Sequence, residues 1–274
     1  MRNRSAGVLV LALMLLNAKA AIGDTIGTRV AGIQGATVST LIPAPGPIAI
    51  PKLPQDGDGC SNNEGATGPG TVALNTINVP QTGDTLVLIA YAWPNDVSSI
   101  TNDPGTPADA WQEVPGAAAT TKAGVETIWY APNVRGNGSQ HGFVVHSSAN
   151  NLIDPCVFVV RGLAVKPIDQ AAKIVGSADT DSFLSPTISG SYSPEIIFYM
   201  NGGGGNPPFS VSNGFNIISR FTGSSDAMGG LPGGYLVRNV RGRINVTVSQ
   251  TPQSGLEAEG IVSFIGLGAV RGAP

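Results

Sequence analysis

The chain has 274 residues, of which only 12% are charged, about half the usual share for soluble domains. Fifteen Lys and Arg stand against 18 Asp and Glu, a formal charge of −3. That balance excludes the clustered cations a nucleic-acid or anionic-membrane surface would need. Gly (37) and Pro (21) make up a fifth of the residues, so apolar runs are cut into short pieces that read as strands and turns.

Met1–Ala20 has three parts. Arg2 and Arg4 open it, an apolar run from Ala6 to Leu16 follows, and Ala18-Lys19-Ala20 closes it in the small-x-small pattern of a cleaved export signal. The run is too short to cross a bilayer of roughly 30 Å as a helix. Cleavage after Ala20 would remove Arg2, Arg4 and Lys19 and take the formal charge to −6. No later stretch approaches 18 consecutive apolar residues, so no membrane span is expected after cleavage, and the protein is expected to be secreted or held at the cell surface, a periplasm included. Residues 21–59 carry five prolines between Pro43 and Pro54, a density that blocks regular strand pairing. They are expected to form an extended linker or arm, or in part an irregular edge of the domain that follows.

From residue 60 to 274 a single β domain is expected. Strand candidates run in order through Thr71–Val79, Thr85–Trp93, a short piece around Trp111, Gly124–Ala131, His141–Ser147 and Cys156–Leu163. Thr85–Trp93 (TLVLIAYAW) is apolar on both alternations, the pattern of a strand buried on both faces. Gly124–Ala131 and His141–Ser147 flank the loop PNVRGNGSQ and read as a long-looped hairpin. Weaker candidates lie near Ala171–Val175 and Thr187–Ser189. Glu195–Met200 (EIIFYM) is strong, and Phe215–Phe221, Gly234–Asn239, Arg243–Ser249 and Glu259–Ile265 complete the set. With ten or more short strands and no apolar period of 3.6 residues, the fold class is all-β, a two-sheet antiparallel β-sandwich of jelly-roll or immunoglobulin-like type.

The run VPQTGDTLVLIAYAW, followed in order by IWYAPNV, VFVVRGLAVKPID, SPEIIFYM and EGIVSFIGLG, resembles a sandwich module that recurs in bacterial secreted and phage-associated proteins. The resemblance spans roughly residues 65–267. It implies an immunoglobulin-like or jelly-roll sandwich used as an adhesive, display or spacer unit, and brings no catalytic residues. The Pro-rich loop after Trp93 and the pair Cys60 and Cys156 depart from the module's pattern.

Two cysteines in an exported chain are expected to pair, and a Cys60–Cys156 bond would close a loop worth roughly 4–5 kcal/mol in the chain-entropy picture. Their spacing with His141 and His146 fits no zinc pattern, and the two histidines, five apart, point to opposite faces of a strand. They read as one solvent-facing and one packed. No Gly-x-Ser-x-Gly elbow occurs, and Gly202–Gly205 lacks the Lys-Ser/Thr of a phosphate loop. Asp103, Asp109 and Glu113 surround a loop that could hold calcium, though without an Asp-x-Asp-x-Asp-Gly pattern. Glu257 and Glu259 share a strand face and raise a glycosidase reading, against the simpler one of a charge-blunted strand edge. Asn137-Gly-Ser and Asn245-Val-Thr fit glycosylation acceptors, the second inside an expected strand.

No catalytic constellation, cofactor pattern or metal site emerges, and the chain is expected not to be an enzyme. Tyr91, Trp93 and Trp111 could frame a shallow ligand site beside the loop 94–110, because sugars stack on flat apolar rings and sandwiches carry their binding loops at one end. The functional expectation is an exported protein of adhesion, ligand display or surface assembly. Its alternatives are a carbohydrate-binding module using that loop, a structural subunit of an extracellular filament or virion-like particle, and a glycoside hydrolase. The expected partners are a surface glycan or further copies of the chain.

Overall fold

The computed structural model describes residues 46–56, 59–61, 70–121, 124–148, 152–180, 182–202, 209–219, 232–250 and 256–271, all within the unit Ala44–Pro274. The expected export signal and residues 21–45 lie outside the described residues, as do Gly203–Gly205. Among the described residues there is no helix, and strands account for most of them.

In the first half, β4 (Thr85–Trp93), β8 (Val125–Ala131) and β10 (Leu152–Val160) are the long strands. They combine with β1 (Gln55–Asp56), β2 (Gly59–Cys60), β6 (Gln112–Glu113) and β7 (Ala119–Thr120) in a sheet ordered β1-β2-β10-β4-β8-β6, with β7 also on β8. A second sheet is formed by β3 (Thr71–Asn75), β9 (Gly142–Ser147) and β5 (Val97–Asn102) in that order. In the second half, β11 (Leu163–Thr180), β20 (Leu256–Arg271), β14 (Tyr192–Gly202), β17 (Pro232–Arg238) and β16 (Asn216–Ser219) lie side by side. Two small sheets accompany them. One orders β12 (Ser182–Leu184), β19 (Thr247–Gln250) and β15 (Phe209–Val211), and the other pairs β13 (Ile188–Gly190) with β18 (Gly242–Ile244). All these pairings are antiparallel except β1 with β2.

Strand side chains alternate between faces, and the apolar clusters show how the sheets stack. Leu86, Leu88 and Ala90 of β4 meet Val72, Leu74, Phe143 and Val145 of the three-stranded sheet. Their neighbours Val87 and Ile89 turn the other way, with Phe158 and Val160 of β10, onto Ile196, Phe198, Val262 and Phe264 of the five-stranded sheet. That sheet's other face sends Ile197, Tyr199 and Ile261 against Phe183, Ile188 and Val248 of the small sheets. Expected two sheets therefore give way to five, because the long strands of each half are apolar on both faces and each face needs its own cover.

TLVLIAYAW is strand β4, buried along its length up to Trp93, as its double alternation predicts. Cys60 and Cys156 are cross-strand partners on β2 and β10 and form the expected disulfide. Four expectations are corrected. β8 and β9 are no hairpin: β8 pairs with β4 while β9 pairs with β3 and β5, and PNVRGNGSQ crosses from one sheet to the other. The expected loop 94–110 is interrupted by β5, which pairs with β9, whereas residues before 60 take the irregular-edge form allowed for them, with Ile48 buried in the central cluster and Ala49 exchanging backbone hydrogen bonds with Arg161 (3.3 and 2.9 Å). The strand expected at Arg243–Ser249 is broken between Ile244 and Thr247, which leaves Asn245 in the gap. Glu259 is no exposed edge: β20 runs between β11 and β14, and the residue is fully buried.

Candidate functional site

A groove of about 600 Å³ opens between two loops, Gly105–Ala110 and Pro132–Asn137. The first lies in the connection from β5 to β6, and the second is the sheet-to-sheet crossing after β8. Gly and Pro at their ends keep both loops out of the ladders, yet each is fixed by hydrogen bonds from the residues beside the open ones.

On the first wall, the Thr106 hydroxyl donates to the Asp103 carbonyl at 2.8 Å, and the Thr106 amide donates to the same carbonyl at 3.1 Å. The Asn102 side-chain amide donates to the Asp109 carbonyl at 3.1 Å. The Asp109 carboxylate turns inward, its side chain only 1% exposed, and accepts a 2.8 Å hydrogen bond from Nδ1 of His141. His141 is itself held, since its amide donates to the Thr76 hydroxyl (3.0 Å) and its carbonyl accepts from the Thr76 amide (2.9 Å). Burial pushes the Asp109 carboxyl above its usual range, and the hydrogen bond from His141 and its charge oppose that shift.

On the second wall, Val134 is buried in the first half's core and trades backbone hydrogen bonds with Gly83 and Asp84 (3.0 and 2.8 Å). Two residues on, the Gly136 amide donates to the Thr82 hydroxyl at 3.1 Å. A Cβ at Gly136 would lie 2.8 Å from the Pro80 carbonyl oxygen and the Thr82 nitrogen, so only glycine allows this approach. Asp84 anchors the turn beneath, accepting from the Gln81 amide at 2.8 Å and from Arg161 at 3.5 Å. Burial raises its carboxyl pKa despite those bonds.

The aromatic trio does not form one platform. Tyr91 is buried on the face of β4 that turns toward the five-stranded sheet, whereas Trp111 packs on the other side against Phe143, ring centroids 5.0 Å apart. Trp93 alone is open, at 42% exposure. Trp129 lies half-buried beside Trp111's cluster. Asp103, Asp109 and Glu113 do not converge either: Asp109 is engaged by His141, and Glu113 accepts from Thr127 at 3.1 Å. Among the described residues no group of three His, Cys, Asp or Glu is placed to hold an ion. His146 meets the Thr101 hydroxyl at 2.7 Å near the surface, while His141 is packed.

A second recess of about 480 Å³, lined by Thr187, Asn213, Arg243, Ile244 and Asn245, offers less. Its amides serve one another: Asn213 donates to the Asn245 carbonyl (2.9 Å) and side-chain oxygen (3.1 Å).

Thr106, Asn133 and Arg135 were invisible as site residues in the sequence. Their one signal is the length of PNVRGNGSQ, too long for a tight turn between the strands that flank it. The sequence matches no family model, and neither the curated proteins nor the solved structures compared with it contain a match.

Proposed function

We propose that this is an exported, non-enzymatic surface protein whose β domain binds carbohydrate in the groove between Gly105–Ala110 and Pro132–Asn137. The supporting observation is that both walls are pinned at backbone level while Ala108, Ala110, Asn133, Arg135 and Asn137 beside the pins stay exposed. A preformed recess with polar groups on fixed supports loses little freedom when a ligand enters, the main cost that weak surface sites face. Of the expected binding loop 94–110, the reading keeps only the part after β5, Gly105–Ala110, and moves the contact away from the aromatic residues.

Two further features support the setting. The Cys60–Cys156 bond suits an oxidising compartment and so agrees with the export signal read at Met1–Ala20. The stacked sheets, with loops gathered between strand ends, suit the jelly-roll or immunoglobulin-like sandwich of secreted adhesion and display modules.

A glycan array probed with the wild-type domain and with Ala108→Trp tests this function. The indole would fill the groove from an exposed position, so binding should fall at least about tenfold while the melting curve stays in place. Wild-type protein that binds no glycan, or a variant that binds as well as wild type, would overturn the proposal.

A further inference from the structure

The groove is one-sided in its chemistry. Two of its lining residues carry charge, Asp109 and Arg135. Asp109 is turned away from solvent and its Oδ2 is engaged by His141, so the wall Gly105–Ala110 presents mainly backbone and small side chains. Arg135 is exposed, and among the described residues nothing bonds to its guanidinium. Its two neighbours in sequence are the pinned ones, Val134 in the core and Gly136 against the Pro80–Thr82 turn. A long side chain thus rises from backbone that cannot shift, and only its own rotamers need ordering on binding.

The rest of this wall also offers donors. Asn137 directs Oδ1 to the Ser139 amide (3.0 Å) and hydroxyl (2.9 Å), which leaves its Nδ2 protons for another acceptor. Asn133, held at φ 52, adds a second exposed amide. A guanidinium fork flanked by amide donors matches a ligand with paired, negatively charged acceptor oxygens.

We infer that the groove selects acidic sugars, with Arg135 receiving the carboxylate of a uronic acid or the sulfate of a sulfated sugar. This rests on the groove being the carbohydrate site proposed above. Neutral sugars could satisfy the amides but would leave the guanidinium without an anion.

Titration calorimetry with three probes tests the inference: trigalacturonate, its methyl ester, and a heparin-derived tetrasaccharide. Wild-type protein should bind at least one acidic probe at least about tenfold more tightly than the ester, because charge-assisted hydrogen bonds are the stronger ones. The probe preferred, trigalacturonate or the sulfated tetrasaccharide, identifies the anion. Arg135→Gln should remove that advantage and flatten the salt dependence, with Arg135→Lys between the two, since it keeps the charge and loses the fork. Arg135 is exposed, so all three proteins should melt alike. Binding of both acidic probes no tighter than the ester, or an Arg135→Gln variant that binds the preferred acidic probe as wild type does, would overturn the inference. If Ala108→Trp still abolished binding in that case, the groove would stand as the site and only its charge selectivity would fall. Failure of every probe, together with a blank glycan array, would remove the groove reading itself.

Discussion

On β20, Glu259 sits opposite Asn201 of β14, and the Tyr199 and Ser263 side chains share its face of the sheet. All four are fully buried, and neither carboxyl oxygen of Glu259 has a hydrogen-bond partner among the described residues. Burial drives its pKa up to about 9, with the Asn201 side-chain amide opposing the rise and the nearby Glu126 adding to it. The same burial, with Glu259 close by, raises the Tyr199 hydroxyl. Glu259 is therefore a neutral acid at pH 7. Because its folded pKa lies above the unfolded value of 4.5, its stabilising share is full below about pH 4.5 and is lost as pH rises toward 9. Holding that proton at pH 7 costs on the order of 3 kcal/mol relative to an uncharged side chain. Glu259→Gln should thus raise the melting temperature at pH 8 by on the order of 10 °C and flatten its fall between pH 5 and 8. Parallel melting curves for the two proteins across that range would contradict this account. Glu195 shows the other solution to a buried carboxyl: Arg238 pairs with it, opposing the rise that burial causes. Gly190 is part of that solution, since a Cβ there would collide with both partners.

Among the elements, β11 departs furthest from its expected form. The sequence suggests only a weak strand near Ala171–Val175, because Pro167, Asp169, Gln170 and Gly176 interrupt every alternation. The chain nevertheless runs as strand from Leu163 to Thr180, paired with β20 through several register shifts. Pairing with a strong neighbour overrides local pattern here, at the cost of regularity. Strands buried on both faces were legible for the opposite reason: β4 and β14 carry unbroken apolar runs that nothing but an interior can accommodate. β11 is also the end strand of its sheet and exposes Val165, Ile174 and Val175. Lys166, Pro167, Lys173 and the register shifts are the devices that keep such an edge from pairing with another chain. Replacing Lys166, Pro167 and Lys173 with valine should produce concentration-dependent association in light scattering, whereas each single change should do much less. A triple variant with the wild-type mass profile would show that the edge is protected by something else.

For the molecule as a whole, the disulfide joins β2 to the middle of the first half across 96 residues of sequence. Replacing both cysteines with serine should lower the unfolding free energy by about 4 kcal/mol, read from the midpoint shift in urea at constant slope. An unchanged midpoint would mean that β2 is held by packing alone. The pairing could be read from the sequence because two cysteines allow one partner each. The groove could not, because its walls are Gly, Pro, Ala and Asn on loops that only the tertiary fold brings together. Nor could the stacking of the two halves, which depends on which of two apolar faces meets which.

That stacking sets a schedule for making the protein. β20 is the last strand among the described residues, yet it lies inside the five-stranded sheet, between β11 and β14. The chain enters that sheet at Gly162, whose carbonyl accepts from the Leu267 amide, and a Cβ there would meet the Gly46 and Pro47 carbonyl oxygens at 3.0 Å. An early segment and the final strand thus close on one joint. Until the ribosome has released residues 256–271, β11 and β14 have no strand between them, and the apolar face of β4 and β10 has no finished sheet to rest on. Domains whose strands pair as they emerge can fold during synthesis. Here the five-stranded sheet cannot close until residues 256–271 have emerged.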